Sequence, residues 1–273
     1  MKKTLFTFCC AVMIAAGKEP PNIVLIMADD LGWFDAHFQG NENLDTPSLD
    51  QFVTEGMMFP HGYAAAPVCT PTRAAMLTGI SPARLSITNH APGHKDGMVP
   101  EGRQQAGAKK LTYLPIEATT LAERLKKEAG YTTGFVGKWH LSHRKGADEA
   151  GKKFEPQLRP EHQGYDLNIG GYDRGGPPTY FAPYKIPTLK EGKDGEYLPD
   201  RLAGECIDFI KDQKKGPFFL TFWNYSVHYP IEAPEDLIKK YKSRSVENPA
   251  YAAMIEGMDR SIGRLLKSLD DLG

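Results

Sequence analysis

The chain has 273 residues, of which 41% are hydrophobic and 25% are charged, and its formal net charge is −1 at pH 7. A chain of this length and composition can bury the core of a globular domain, which excludes a disordered or fibrous protein. The charge is near neutral and no basic stripe is interleaved with aromatic residues, so we do not expect nucleic acid as a partner.

The first 17 residues have the composition of a secretory signal peptide. Two lysines stand near the start, an apolar run extends from residue 5 to residue 16, and small residues follow. The run is too short for a helix that spans a membrane. We therefore expect residues 1–17 to be removed, no stable membrane anchor, and a periplasmic or secreted mature protein. A membrane-anchoring segment is the alternative interpretation.

The first predicted strand, over residues 22–27, is a run of aliphatic residues that leads to Asp29 and Asp30. A continuous apolar run of this kind predicts a strand buried on both faces, with the two acids at its carboxyl end. Adjacent carboxylates repel each other unless a cation lies between them, and hard oxygen ligands suit calcium or magnesium. Asp29 and Asp30 are therefore candidate metal ligands, with a solvated turn as the alternative.

The segment around Cys69 combines a lone thiol, a proline and an arginine with small residues that allow a ligand close to the backbone. Pro71 suits the first turn of a helix, so a helix is predicted over residues 72–78 with Arg73 on its opening turn. The N-terminus of such a helix favours an anion. A buried structural cysteine beside a surface arginine is the alternative.

A further strand, predicted over residues 131–136, leads to Lys138 and His140. In an extended segment, residues two apart face the same side, so these two side chains are expected to address one ligand while Trp139 faces the other way. They would offer a cation and a proton carrier to one oxyanion. The alternative is a surface lysine and a hydrogen-bonded loop histidine.

The segment from His143 to Leu198 is rich in glycine, proline and tyrosine and is predicted to be a long loop. Loops of this length in a compact domain are commonly functional or disordered. Its aromatic residues and Arg174 are candidates for lining a sugar-binding cleft. An excursion that only packs on the sheet is the other interpretation.

A third strand, starting near Phe218, delivers His228 into the loop beyond its end. Open α/β sheets bind ligands at the carboxyl ends of their strands, so we expect His228 to converge with Asp29, Lys138 and His140.

Four further helices are predicted, at Pro47–Glu55, Leu121–Ala129, 200–214 and 249–269. Thr46 and Thr120 are the expected N-caps of the first two. Cys206, in the third, is expected to be a core residue. Alternation of helices with strands predicts an α/β fold, with a mainly parallel sheet sandwiched between helices.

Four separated motifs, from about Pro20 to the last residue, resemble those of the type I sulfatases of the alkaline-phosphatase superfamily. The family pattern Cys-x-Pro-Ser-Arg, followed by Thr-Gly, is matched from Cys69 except that Thr72 replaces serine. The others are the strand that ends in the aspartate pair, Gly-Lys-Trp-His-Leu at 137–141, and the segment that carries His228.

The resemblance implies a role for each candidate residue. A maturation enzyme would oxidise Cys69 to formylglycine, whose hydrate attacks the sulfur of a sulfate ester. Calcium would be held by Asp29, Asp30 and residue 69. The implied roles of the others are charge stabilisation by Arg73 and Lys138, contact of His140 with the formylglycine hydroxyls, and protonation of the leaving oxygen by His228.

The implied function is that of a sulfuric ester hydrolase acting on a sulfated small molecule or, more plausibly for a secreted enzyme, a sulfated glycan. Sulfatases continue past the position of Gly273 with an Asp-Asn pair, a lysine and a smaller domain, so residues 18–273 are expected to be an incomplete N-terminal catalytic domain. Two alternatives are a phosphonate or phosphate ester hydrolase of the same superfamily and an inactive glycan-binding remnant. A disulfide between Cys69 and Cys206 would contradict the enzyme interpretation.

Overall fold

The computed structural model describes residues 20–91, 110–143, 156–213 and 216–273, so the predicted signal peptide lies outside the described residues. The strands in these ranges are β1 (Ile23–Met27), β2 (Thr132–Gly137), β3 (Leu167–Ile169) and β4 (Phe218–Trp223). The α-helices in the same ranges are α1 (Pro47–Glu55), α2 (Cys69–Thr78), α3 (Pro82–Leu85), α4 (Leu121–Ala129), α5 (Leu198–Asp212), α6 (Glu235–Tyr241) and α7 (Pro249–Leu272). Short 3₁₀ helices lie at His37–Gln39, Pro156–Leu158 and Pro160–His162.

The four described strands form one sheet in the order β1-β4-β2-β3, and every pair is parallel. Helices cover both faces of this sheet. One apolar cluster joins α5 and α7 to side chains such as Val136 and Phe222, and a second joins α2 and α4 to side chains such as Phe135 and Phe219. The prediction of a mainly parallel sheet between helices is therefore confirmed.

The prediction that the first strand is fully buried was wrong. Alternate side chains of β1 do pack on the two clusters, but every residue of the strand is only half-buried. The reason is that β1 is an edge strand within the described sheet, whereas β4 lies between two neighbours and is buried throughout.

Thr46 stands at the N-cap position of α1, as predicted, but its side chain makes no capping hydrogen bond to that helix. Its hydroxyl instead donates to Asp50 (3.0 Å) and accepts the backbone N–H of His37 (2.9 Å). The cap comes from the far end of the chain, because the carboxylate of Asp259 in α7 accepts the backbone N–H groups of Ser48 (3.1 Å) and Leu49 (2.8 Å). Two N–H groups that lack intrahelical partners are thereby satisfied.

The remaining helix predictions agree closely with the structure. Thr120 caps α4 in a capping box with Glu123. The helix α5 begins two residues before the predicted start and buries Cys206, which is a core residue as expected. Cys69 and Cys206 are both free thiols, so the disulfide that would contradict an enzyme is absent.

The tyrosine-rich segment was predicted as a long loop, but its described part, residues 156–197, contains β3 and two 3₁₀ helices. Its tyrosines are buried and therefore pack on the sheet instead of lining a cleft: Tyr165, Tyr172, Tyr180, Tyr184 and Tyr197. Arg174 is exposed. In the part of the chain that the structure describes, no helix combines the length and apolar composition that a membrane span requires.

Candidate active site

The candidate site lies where β1, β2 and β4 end next to one another. Backbone hydrogen bonds continue past the strands and fix their ends: Asn224 N–H donates to Met27 (2.9 Å) and Lys138 N–H to Trp223 (2.8 Å). Asp29 N–H donates to Ser226 in the loop that carries His228 (2.9 Å). Polar residues from three strand ends are thus brought to one edge of the sheet, as the parallel topology predicts.

Asp29 is the centre of a buried ion cluster. Its Oδ1 accepts Nη2 of Arg73 at 2.7 Å, and its Oδ2 accepts Nζ of Lys138. Arg73 also donates Nη1 to the carbonyl of Lys138 (2.6 Å) and stacks over the Trp223 ring at 5.0 Å. Because Arg73 and Lys138 are both buried, neither is the surface cation of the alternative interpretation.

The charges in this cluster affect one another strongly. Burial acts to raise the pKa of Asp29, but the charges and hydrogen bonds of Arg73 and Lys138 outweigh it and hold that pKa below its ordinary value. Burial, followed by repulsion from Arg73, lowers the pKa of Lys138 despite the attraction of Asp29. Two cations thus share one carboxylate in a low-dielectric pocket, which leaves an excess positive charge for an anion.

Cys69 is the first residue of α2, so the helix begins three residues before the predicted start and Arg73 lies on its second turn. The thiol is half-buried and lies 3.2 Å from Nδ1 of His140. Burial, followed by the charge of Lys138, holds the pKa of His140 well below its ordinary value, so the ring is neutral.

Thr70 and Ala91 determine which nitrogen of His140 faces Cys69. The Thr70 hydroxyl accepts the backbone N–H of Ala91 (2.9 Å), and the carbonyl of Ala91 lies 2.5 Å from Nε2 of His140. A carbonyl can only accept, so Nε2 carries the proton of the neutral ring and Nδ1 presents its lone pair to residue 69. Sequence analysis did not identify this pair, since nothing marks Ala91 and Thr70 is an unspecified position of the cysteine motif.

The backbone at His140 does not have the extended conformation that the sequence analysis predicted. Its φ is +58°, in the left-handed region that non-glycine residues rarely occupy, so residues 138–140 are not a simple extended segment. Lys138 reaches Asp29 while His140 reaches Cys69. Trp139 does point away, into the apolar cluster that contains Phe135.

His228 and Asp30 form the more open part of the site. Ligand atoms of Asp29, Asp30 and His228 lie within 4.8 Å of one another, and Nε2 of His228 is 3.8 Å from Oδ2 of Asp30. Nδ1 of His228 lies 2.7 Å from the carbonyl of Tyr229, to which it must donate. Cys69, predicted as a third metal ligand, is not a member of this group among the described residues.

The carboxylates of this group fit a hard cation. Calcium prefers six to eight oxygen ligands, so Asp29 and Asp30 supply a suitable start and the imidazole of His228 does not add to it. Both oxygens of Asp29 already accept hydrogen bonds from cations, but each carboxylate oxygen can accept more than one partner.

A cavity of about 890 Å³ opens beside these residues. Asp29, Asp30, Cys69 and Arg73 line one side of it, and small or apolar residues such as those at 63–68 line much of the rest. A ligand in this cavity would reach the thiol, the aspartate pair and the guanidinium together.

Comparison with known proteins gives one consistent family. A sequence model described as Sulfatase matches residues 21–273. N-acetylgalactosamine-6-sulfatase of Rattus norvegicus is 33% identical over 285 residues, which cover 96% of this chain and 49% of that protein. Arylsulfatase A of Homo sapiens is 33% identical over 288 residues, which cover 95% of this chain and 51% of that protein. The chain therefore spans about half the length of these curated relatives.

Solved structures agree. The crystal structure of Ps i-CgsB in complex with k-i-k-neocarrahexaose is 27% identical to this chain and superposes with a TM-score of 0.72. The match covers 93% of this chain and 55% of the Ps i-CgsB chain. The phosphonate monoester hydrolase of Agrobacterium radiobacter is 15% identical to this chain and superposes with a TM-score of 0.60. The match covers 93% of this chain and 60% of the hydrolase chain. At this identity, the similarity shows the fold alone.

Proposed function

Because the chain belongs to the type I sulfatase family, we propose that it forms the catalytic part of a sulfuric ester hydrolase that acts on sulfated carbohydrates. The observation that carries this proposal is the contact of Cys69 with a neutral His140 at a cavity that Asp29 and Arg73, two members of the buried ion cluster, also line. A nucleophile at position 69 would meet a proton acceptor in His140 and the guanidinium of Arg73 at the same cavity.

Arg73 and Lys138 supply positive charge to the oxygens of the sulfuryl group. Their pocket is preformed, because Asp29 and the Lys138 carbonyl hold the guanidinium before any ligand binds. Preorganised donors in such a pocket stabilise a transition state by about 3 to 4 kcal/mol each. Asp29 thus orients both cations without cancelling their combined charge.

The proposed modification of Cys69 to formylglycine by a maturation enzyme would supply a hydrated aldehyde as the nucleophile. The site fits this group, because the side chain of residue 69 is a free thiol that lines the cavity. His140 would accept a proton at Nδ1 from a hydroxyl at position 69, since Ala91 holds Nε2 in its protonated form.

His228 is proposed to protonate the leaving oxygen of the alcohol. Its Nδ1 donates to Tyr229, so its Nε2 can donate to a substrate only when the ring is doubly protonated. Oδ2 of Asp30 lies 3.8 Å from that nitrogen.

Asp29, Asp30 and the modified residue 69 would hold calcium, which would neutralise charge on the sulfate ester. Carbohydrate is proposed as the substrate class because one relative is named for N-acetylgalactosamine 6-sulfate and one structural neighbour binds a neocarrahexaose. A periplasmic or secreted location remains a prediction from residues 1–17.

The test is to express the chain together with a formylglycine-generating enzyme. The peptide that contains residue 69 is examined by mass spectrometry for the conversion of thiol to aldehyde. Sulfate released from N-acetylgalactosamine 6-sulfate and from sulfated carrageenan oligosaccharides is measured by ion chromatography. We expect the aldehyde and sulfate release, and we expect Cys69→Ala to abolish the release.

Each alternative function has its own outcome in this experiment. Faster hydrolysis of an aryl phosphonate than of an aryl sulfate would identify a phosphonate ester hydrolase. An intact thiol, with saturable binding of sulfated oligosaccharides and no release, would identify a glycan-binding remnant. A chain that carries the aldehyde but releases no sulfate would contradict the proposal.

A further inference from the structure

We infer that Gly175 and Gly176 are positioning residues, which hold the rings of His140 and His228 in place because any side chain on either glycine would collide with one of them. The catalytic meaning of these ring positions rests on the proposed function. The contacts themselves do not, and they can be tested without any substrate.

Gly175 lies directly against the ring of His140. A methyl group built on Gly175 would lie 2.6 Å from Cε1 and 3.1 Å from each ring nitrogen of His140. The ring cannot move away freely, because one nitrogen faces Cys69 and the other faces the Ala91 carbonyl. Any side chain at position 175 would therefore push the imidazole of His140 away from residue 69, the proposed nucleophile.

Gly176 makes the equivalent contact with the second histidine. A methyl group built there would lie 2.8 Å from Nδ1 of His228, 3.0 Å from its Cε1, and 2.7 Å from the carbonyl oxygen of Tyr229. That carbonyl is the acceptor of His228 Nδ1. A side chain at position 176 would thus disturb both the ring and the bond that orients it.

Hydrogen bonds tie the glycine segment to both histidines. The backbone N–H of His140 donates to the carbonyl of Tyr172 (3.0 Å), and the Tyr172 hydroxyl donates to the carbonyl of Gly176 (3.0 Å). The Tyr180 hydroxyl lies 2.8 Å from the carbonyl of His228. The buried tyrosines therefore hold the dipeptide in place against the two rings.

This arrangement bears on where the nucleophile and the leaving group lie relative to each other. Displacement at sulfur requires the nucleophile and the leaving oxygen on opposite sides of the sulfur atom. In the proposed function His140 serves the first and His228 the second, and the two rings contact neighbouring residues of one dipeptide.

The requirement for glycine is steric and not conformational. Neither glycine has a φ in the left-handed region, so alanine can adopt the same backbone at both positions. A matched control is available in α5, where a methyl group on Gly204 would have no neighbour within 4 Å.

The first measurement uses the chain labelled with [¹⁵N]histidine, in which the ring signals of its 8 histidines are recorded by NMR. His140→Asn and His228→Asn assign the two signals of interest. We expect Gly175→Ala to shift the ring nitrogens of His140 and leave those of His228 unchanged, and Gly176→Ala to do the reverse. Gly204→Ala should shift neither.

The second measurement is a thermal double-mutant cycle, which remains informative if Gly176→Ala does not fold. Overpacking typically destabilises a domain of this size enough to lower Tm by about 3 to 10 °C. We expect Gly175→Ala to do so in the natural chain but not in the His140→Ala background, where the opposing ring is gone. Equal losses in both backgrounds, or His140 signals unmoved by Gly175→Ala, would overturn the inference.

Discussion

Two of the described aspartates are each held by two cations, one in the candidate site and one at the surface. Asp29 accepts hydrogen bonds from Arg73 and Lys138, and 5% of its side chain is exposed. Asp45 pairs with Arg244 and Lys240, and 34% of its side chain is exposed. Each carboxylate has two cationic partners, but the surroundings differ, and Lys240 also pairs with Glu256.

The difference shows what each cluster contributes. Around Asp29, burial removes hydration from all three charges, so the cluster costs free energy unless it remains complete. Around Asp45, water screens the charges, so the same arrangement adds a modest stabilisation. The buried cluster keeps an excess positive charge that is available to an anionic ligand, whereas the surface cluster connects the segment before α1 to α6.

The largest effect is expected from the matched pair Lys138→Ala and Lys240→Ala. Loss of Lys138 removes one partner of a buried ion pair and should lower the free energy of unfolding by about 3 to 5 kcal/mol. Loss of Lys240 should lower it by less, because Arg244 still pairs with the exposed Asp45 and Arg260 still pairs with Glu256. Urea unfolding measures both. The large expected loss follows from the burial of Lys138 beside Asp29.

Equal and small losses in the two variants would show that Asp29 is satisfied by Arg73 alone. The comparison between the buried and exposed clusters would then fail.

An intermediate effect is expected from Thr70→Val. The Ala91 N–H would lose its buried acceptor, at a cost of about 1 to 3 kcal/mol. The Ala91 carbonyl would then be less well fixed, so the ¹⁵N signals of His140 should change toward a mixture of tautomers. Thr70→Ser keeps the hydroxyl and is the control.

Restoration of the single tautomer by serine but not by valine would support the positioning role. If both variants kept the natural spectrum, Ala91 would hold its place without Thr70.

The smallest effect is the pH dependence of the surface cluster. A hydrogen bond from Arg244, followed by the interactions with Lys240, lowers the pKa of Asp45 from 3.8 to about 2, against the opposing effect of burial. A lowered pKa gives stability that is present above pH 3.8 and lost as the pH falls through about 2. After allowance for screening, we expect Asp45→Asn to cost about 1 kcal/mol at neutral pH.

The cost of Asp45→Asn in the free energy of unfolding should vanish as the pH falls to about 2. Urea unfolding at a series of pH values down to that point measures it. A cost that persisted at the lower end would mean that Asp45 acts through its shape and not its charge.

Local patterns predicted much of the fold. The apolar runs of β2 and β4 and the capping box of α4 depend on residues a few positions apart, so they are readable from sequence. Features that depend on distant residues were not readable. The cap of α1 comes from Asp259, and the exposure of β1 depends on its place in the sheet.

The candidate site divides in the same way. Strand ends and motifs led to Asp29, Cys69 and His140; in the structure Asp29 and Cys69 line one cavity and His140 contacts Cys69. The ion pairing of Asp29 could not be predicted, because it requires three strand or helix ends to meet. The contact of Gly175 with His140 was equally hidden, since a glycine-rich stretch indicates close approach but not the partner.

The capping of α1 by Asp259 has a consequence for synthesis of the chain. Residues 48 and 49 are made more than 200 positions before the carboxylate that caps them. During translation, the N-terminus of α1 therefore lacks this partner until α7 has emerged, and isolated helices of this length are marginal in water. The helix α1 can therefore take its final form only after α7 has been made.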